Sequence, residues 1–512
     1  MSVVFLITRL PYFIFYPVLT ISNDSASYIA AAFELMDLNA PMFDIRTPGY
    51  PIFLSLIMSV TSDAIFISLV QSLITYFAAI FFLSVSFKYF ENGIFYFAIA
   101  VSAFISSAYF LVLEMSILTE GIFTSLMLIL AGVFIIAVKS ESIFAWAVYS
   151  VLVALLILVR PAGLFLVGLF GLLILFFIIN KYPLKYYLAS IVPFAIIIAA
   201  LCTYNYATLG KFTITPFGEA NLAGVTVLFM ETSEEYPDFV NKAIDSTLNS
   251  IPKKELRYVA NSYNPDNLFT AFKDHFHMQM NLVNYMKMDD SSFTYMKAQP
   301  ILRQISIDAI RKHPDIYAKF FLSNFYYFFT NIGRTIDYKS ELARKYKQVA
   351  IDKIYLTQLQ SGKWSQISSK NEYNKSVHSY YLQRIDEQKS LAGFNVDAGD
   401  NVTLQPSFLL SLYGAAKVIF DFLFRNLIWL LMFALMSFMS IRQCISSKLS
   451  DKDAFIALAF VLIFVLKAVM VSSIESSLER YSYTVDFVIY MSLPFVIILY
   501  KNRKKTKILK EA

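Results

Sequence analysis

The feature that most constrains this chain is its succession of long apolar runs. They cover about residues 64–86, 93–112, 119–138, 143–159, 161–179, 185–204, 418–440, 454–472 and 484–500, after a first run from Met1 to about Ser22. A run of roughly 20 apolar residues wound as a helix matches the hydrocarbon thickness of a bilayer. A water-soluble globule has no interior for so many of them. Of the 512 residues 57% are hydrophobic and only 16% are charged, far from the balance of a soluble domain. The expected fold class is an all-α polytopic membrane protein with about ten transmembrane helices. The first run lacks the basic n-region and small-residue cleavage site of a signal peptide, so it is expected to remain as the first span. Arg9 leaves little apolar length after it and is expected to snorkel toward the cytoplasm.

Lys88, Lys139, Lys181 with Lys185, Arg442 with Lys448, and the tail "KNRKKTKILK" fall in alternate connections. Cytoplasmic connections carry the excess of Lys and Arg, which places these segments and both termini in the cytoplasm. The formal charge of +6 is accounted for by such anchors against membrane lipids and calls for no nucleic acid. Three polar stretches then fall on the opposite face: a first loop at 22–62, a long region at 206–410, and a short loop around "ESSLERYSY". The domain organisation expected is an N-terminal membrane domain at 1–205, an outer region at 206–410 that is mostly α or α+β, and C-terminal membrane helices with the basic tail at 411–512. In the outer region, "HPDIYAKFFLSNFYYFFTNIG" at 313–333 is marginal in apolar length and rich in interfacial aromatics. It reads as a helix lying on the membrane. A crossing there would require one more crossing downstream. Cys202 and Cys444 lie near opposite faces on this topology, so no disulfide is expected.

An ion at the centre of a membrane helix costs roughly 2.5–3.5 kcal/mol on insertion scales, so the placement of the charges is informative. Asp24, Asp44 and Arg46 lie in the first loop, and Glu114 and Glu120 flank the turn before the run at 119–138. Arg160 sits in "LVRPAG", and Lys211 follows the run at 185–204. Lys417, Asp421 and Arg425 recur every four residues and share one helix face. Lys467 lies within an apolar run, with Glu475, Glu479 and Arg480 after it. Acids and bases gathered at the outer ends of spans describe a polar cleft opening outward. Ordinary interfacial placement explains single charges at span ends as well, but apolar residues flank both Arg160 and Lys467.

"SNDSASYIAAA" at 22–32, followed by "RTPGYPIFL" at 46–54, resembles the first outer loop of the GT-C glycosyltransferase superfamily. The nearest likeness is to bacterial polyprenyl-phosphate-sugar transferases of the protein O-mannosyltransferase and aminoarabinose transferase type. "LTEGIF" at 118–123, "LVRPAGLFL" at 158–166, "NYATLGKFTITPFGEANLAG" at 205–224, "IRKHPDIYAKF" at 310–320 and "ERYSY" at 479–483 fit the same ordered pattern. The stretch at about 334–405 has no counterpart in it. The resemblance implies a sugar donor carried on a polyprenyl (undecaprenyl) phosphate and a glycan or lipid acceptor in the cell envelope, such as lipopolysaccharide or O-antigen. It implies a multi-pass enzyme of the bacterial inner membrane with its active site facing the periplasm.

Such a transfer needs a carboxylate to take the acceptor hydroxyl proton and cations to stabilise the departing phosphate. Asp24 matches the acidic first-loop position and is assigned as general base, with Asp44 and Glu120 as rivals. Arg46 matches the basic position ahead of the proline elbow, where a guanidinium fork suits phosphate oxygens. Arg160, Lys211, Lys467 and Arg480 are further candidates for the donor phosphate, and Tyr28, Tyr50 and Tyr481 for shaping the substrate site. Pro48, Gly49 and Pro51 would stiffen the turn that aims Arg46. The resemblance implies an inverting single displacement.

No cofactor is expected, and a divalent metal has no support in the sequence. "DKD" at 451–453 spells a metal-binding pattern but sits in a short basic loop, and "DHFH" at 274–277 lacks a third ligand. No Walker loop or dinucleotide fingerprint is present. Two other classes compete. An O-antigen polymerase or ligase using diphosphate-linked glycans also has many spans and a large outer loop. A transporter would place polar residues near the midplane and show an internal repeat.

Overall fold

The computed structural model describes residues 1–15, 24–36, 46–61, 65–90, 93–215, 218–289, 293, 295–330, 394–396, 402–404, 427–475 and 479–511. Asp44, Lys417, Asp421 and Arg425 therefore lie outside the described residues. The chain divides into two compact units. One comprises Met1–Ala200, Gly333–Phe464 and Tyr483–Ala512, and the other Leu201–Ile332 and Val465–Ser482.

The first unit opens with α1 (Ser2–Phe15), α2 (Ser25–Met36), α3 (Gly49–Met58), α4 (Ile65–Tyr89), α5 (Ile94–Ile105) and α6 (Ala108–Glu114). It continues with α7 (Thr119–Ser140), α8 (Ile143–Val159), a 3-10 turn at Pro161–Leu166 that runs into α9 (Val167–Ile179), and α10 (Leu184–Leu209). Helices α11 (Gly218–Thr226), α12 (Asp238–Asn249), α13 (Lys253–Asn261), α14 (Pro265–His275), α15 (Met278–Asp289), α16 (Tyr295–Lys312) and α17 (Pro314–Thr330) belong to the second unit. Two short antiparallel strands, β1 (Phe394–Val396) and β2 (Val402–Leu404), precede α18 (Leu427–Ser446), α19 (Lys452–Ile474), α20 (Glu479–Tyr483) and α21 (Phe487–Glu511).

Among the described residues, seven helical segments are long and apolar enough to cross a membrane: Ile65–Tyr89, Thr119–Ser140, Pro161–Ile179, Leu184–Leu209, Ile428–Ser446, Lys452–Ile474 and Tyr481–Lys504. The chain is a polytopic helical membrane protein. The described parts of the other three apolar runs are helical and are not among the seven. The described part of the first is the 14-residue α1, and α8 has 17 residues. The run at 93–112 is broken at Ser106 and Ser107, where the backbone of Ser107 is extended ahead of α6. The described part of the marginal stretch at 313–333 holds α17, a 17-residue helix that is not among the seven.

Helix α7 is apolar on every side and packed on nearly every side, as a central helix must be. Small residues let its neighbours approach: the ring of Phe81 on α4 lies against Gly132, and Thr75 Oγ1 meets Ser125 Oγ at 2.9 Å. Such small and hydroxyl-bearing contacts are what hold helices together where lipid removes the hydrophobic advantage of burial. Pro193 interrupts the hydrogen-bond ladder of α10, and the neighbouring Phe194 N–H donates to Ser150 Oγ of α8 at 2.9 Å.

The predicted cytoplasmic connections gather at one end of this unit. Lys139, in the last turn of α7, pairs with Asp453 at the start of α19, and Asn502 of α21 donates to the same carboxylate at 2.8 Å. Lys452 pairs with Glu141 at 2.5 Å, and Tyr186 donates to the Glu141 carbonyl at 3.0 Å. Asn180 donates to the Leu449 carbonyl at 3.3 Å. The "DKD" triplet is absorbed by these contacts: Asp451 Oδ1 caps α19 by accepting from the backbone of Asp453 and Ala454, and its two neighbours form the ion pairs.

The second unit buries a core of its own. Val240, Ile244, Phe272, Leu282, Leu302 and Phe320 are among its fully enclosed side chains. His275 of "DHFH" pairs with Glu255 of α13. Glu231 binds His313 at 2.8 Å and Lys312 at 3.4 Å, tying the segment after α11 to the junction of α16 and α17. Cys202 and Cys444 are buried free thiols.

Candidate active site

Asp24 and Ser25 begin α2, and the chain returns at Arg46 immediately before α3. Arg46 Nη2 lies 2.7 Å from Asp24 Oδ1, its Nε donates to Ser27 Oγ at 2.8 Å, and its guanidinium carbon sits 4.6 Å from the centre of the Tyr28 ring. The pair is partly open, with 31% of the Asp24 side chain and 25% of the Arg46 side chain exposed. Tyr28 meets Tyr50 edge to face, with centroids 5.1 Å apart.

The elbow between them is fixed by Gly49. A Cβ there would lie 2.6 Å from the backbone carbon of Leu158, so α3 starts directly against the end of α8. That end is where Arg160 leaves the helix. Arg160 precedes Pro161, which disfavours helical geometry in the residue before it, and its backbone is extended at φ −153° and ψ 125°. The side chain then reaches Glu120, in the first turn of α7, at 2.8 Å. This second pair is enclosed, with 11% of Arg160 and 2% of Glu120 exposed.

Both pairs act on Tyr28. Burial pushes its phenol up, the Arg46 and Arg160 guanidinium groups oppose that, and the Glu120 and Asp24 carboxylates reinforce it. Tyr50 is pushed well up, chiefly by burial, with Tyr28 and Glu120 adding to it. Both phenols are thus held neutral beside two cations and two acids. Asp24, Arg46, Tyr28, Tyr50, Glu120 and Arg160 form one constellation at the end of α7 opposite Lys139, about 33 Å away for a 22-residue helix.

The remaining sequence-derived candidates belong to the second unit. Lys211 lies in the segment after α10, where its Nζ donates to the Met296 carbonyl at 3.5 Å. Lys467 is fully buried in α19, and Tyr481 is buried in α20. Arg480 lies in α20, with its side chain outside the described residues.

Arg9 departs from the expectation of snorkelling. It is 2% exposed, and its Nη2 pairs with Glu114 Oε2 at 2.7 Å while Nη1 donates to the Ile105 carbonyl at 2.6 Å. Phe5 stacks beneath it at 4.2 Å. The carboxylate at the end of α6 supplies a partner inside the protein, so the side chain has no need to reach water. Gln71 of α4 was not a candidate from the sequence, yet it is wholly buried beside this site. It accepts from Tyr50 Oη at 2.9 Å and donates to the Glu114 carbonyl at 2.6 Å. That it is the one amide side chain in the apolar run at 64–86 was its one signal.

No protein-family model matches the sequence, and no curated protein does. Among solved structures the chain is similar to the crystal structure of the Archaeoglobus fulgidus oligosaccharyltransferase in the apo form, at 13% identity and a TM-score of 0.36. The match covers 96% of this chain and 50% of the archaeal one, so the chain spans half the length of that protein. A likeness at that level carries no argument about fold or activity.

Proposed function

We propose that this protein is an integral membrane glycosyltransferase that moves a sugar from a polyprenyl-phosphate donor to an envelope glycan or lipid. The observation that carries the reading is the partly open Asp24–Arg46 pair: a carboxylate and a guanidinium 2.7 Å apart, backed by the enclosed Glu120–Arg160 pair. Donor-phosphate transfer asks for that combination, a proton acceptor and a fixed cation beside one another. The acceptor hydroxyl oxygen attacks the anomeric carbon and loses its proton to the Asp24 carboxylate. The bond from the anomeric carbon to the phosphate oxygen breaks as the new one forms, which inverts the sugar and leaves a polyprenyl phosphate. Arg46 faces the negative charge that builds on that phosphate, and Arg160 adds a second positive charge from behind. Glu120 is the weaker rival base because it is enclosed and held by Arg160.

Orientation supports the same reading. The Lys- and Arg-rich connections meet at the other end of the first unit, and the excess of such residues marks the cytoplasmic side. The site then opens on the outer face of the bacterial inner membrane, toward the periplasm, where undecaprenyl-phosphate sugars are consumed.

The test uses purified protein and its Asp24→Asn variant with a panel of undecaprenyl-phosphate sugars and envelope acceptors, followed by mass spectrometry. The expected result is transfer by the wild type and a loss of about 10²–10⁴-fold in the variant with donor binding kept. Full activity in the variant moves the base to Asp44 or Glu120. Chain growth from diphosphate-linked glycans, with no transfer from any monophosphate donor, replaces this reading with a polymerase or ligase.

A further inference from the structure

Each element of the site is tied to the turn between α6 and α7. Ser25 Oγ, next to Asp24, donates to the Ile117 carbonyl at 2.8 Å. Tyr50 Oη donates to Gln71 Oε1 at 2.9 Å. Gln71 Nε2 donates to the Glu114 carbonyl at 2.6 Å and to the Ser116 carbonyl at 3.2 Å. Gly121 lets the first turn of α7 close on the turn: a Cβ there would lie 3.3 Å from the Glu114 Cα. Glu120, at the exit of the turn, holds Arg160. At its entrance Glu114 is anchored by Arg9, with both side chains enclosed.

Three of these bonds, one from Ser25 Oγ and two from Gln71 Nε2, satisfy the buried carbonyls of Ile117, Glu114 and Ser116, and a buried carbonyl without a partner is costly enough to be rare. The turn is therefore held from α4 by one amide and from α1 by one guanidinium, and it in turn sets the starts of α2 and α7.

We propose that Gln71 and the buried Arg9–Glu114 pair are positioning residues, which fix the 115–118 turn and through it the placement of Asp24, Tyr50 and Glu120. This rests on the glycosyl-transfer reading above. None of the three is assigned contact with substrate. Their part is to hold the reacting groups, and a displacement of about 1 Å at a reacting centre can cost 10²-fold in rate. A Gln serves where a Leu does not. Its amide presents the acceptor that Tyr50 needs and two hydrogens for two carbonyls, without a charge.

The experiment uses full-length protein in lipid nanodiscs with Gln71→Leu, Gln71→Glu and the double variant Arg9→Met/Glu114→Leu. Three quantities are read: kcat and KM for sugar transfer, binding of undecaprenyl phosphate, and amide hydrogen exchange in peptides covering 24–36 and 114–120. Gln71→Leu is expected to bind undecaprenyl phosphate as the wild type does, to lose about tenfold to a hundredfold in kcat with KM unmoved, and to exchange faster in both peptides. Gln71→Glu, as a protonated acid, keeps one donor and one acceptor and recovers most of the rate. Should Gln71→Leu fail to fold, the double variant decides: replacing a buried pair with apolar side chains leaves many proteins stable, and the same kcat loss and faster exchange are expected. Wild-type kcat and exchange in either folded variant overturn the proposal. So does failure of both to fold, which makes the residues simple supports of the fold. Absence of transfer by the wild type itself overturns the glycosyl-transfer reading instead, and the exchange measurement still decides whether Gln71 holds the turn.

Discussion

Gly49 shows how one residue sets the geometry of the site. The start of α3 abuts the backbone of α8 at Leu158 and Val159, and any side chain there would overlap it. Gly49→Ala is expected to cost about 1–3 kcal/mol through that overlap and to move Arg46 away from Arg160. A lowered thermal midpoint together with weaker undecaprenyl-phosphate binding would check this; a midpoint and affinity equal to the wild type would refute it. At this scale Asp24 and Arg46 were legible because they lie in one short stretch with recognisable turn chemistry. They stand 2.7 Å apart across a separation of 22 residues. The Arg9–Glu114 pair was not legible. Its partners are 105 residues apart, and each alone resembles an interfacial charge at a helix end. The sequence reading therefore sent Arg9 to water, when a partner on another helix had removed the reason to go there.

At the scale of elements, the breaks are as informative as the helices. Pro161 ends α8 at Arg160, and the serines at 106 and 107 separate α5 from α6. Both breaks place a charged or hydrogen-bonding group where an unbroken span would bury its backbone, and local composition marks each of them. What it does not mark is how helix ends are joined. In the second unit Glu231 ties the segment after α11 to the junction of α16 and α17 through His313 and Lys312. The hydrogen bond to His313 is the largest cause holding the Glu231 carboxyl below its ordinary value of 4.5, with Lys312 adding to it. A carboxyl whose pKa is lower in the folded state contributes stability that is complete above its unfolded value and is lost as pH falls through the folded one. Acidification from pH 5 toward the lowered pKa is therefore expected to loosen the α16–α17 junction. Because half of the Glu231 side chain is exposed, water and salt screen the effect and keep it small. In Glu231→Gln this part of the acid sensitivity is expected to vanish. Amide exchange at 310–318, followed between pH 3 and 6, would check it, and an identical pH dependence in both proteins would count against the link.

For the whole molecule, hydrophobicity alone carried most of the fold. Among the described residues, seven of the ten apolar runs hold helices long enough to cross a bilayer, because in lipid a backbone must satisfy its own hydrogen bonds and a continuous apolar run has no other way to do so. The division into two units was less legible, since α10 and α19 are continuous helices whose residues are shared between them and show no change in composition at the boundary. Sidedness is a separate matter, decided by where the Lys and Arg residues gather. The contacts Lys139–Asp453, Lys452–Glu141 and Asn180–Leu449 put their connections at one end, and under the positive-inside bias that end is proposed to be the cytoplasmic one. This yields a direct prediction in a protein whose two buried cysteines, Cys202 and Cys444, have been replaced by Ser. A cysteine introduced as Glu141→Cys is expected to react with a membrane-impermeant maleimide only after the membrane is opened. One introduced as Tyr263→Cys, a position 81% exposed in the second unit, is expected to react in intact cells whose outer membrane has been permeabilised. Labelling of both from the same side would deny the second unit an outer location. Reversal of the two would turn the molecule over and would count against the outward-facing site proposed above.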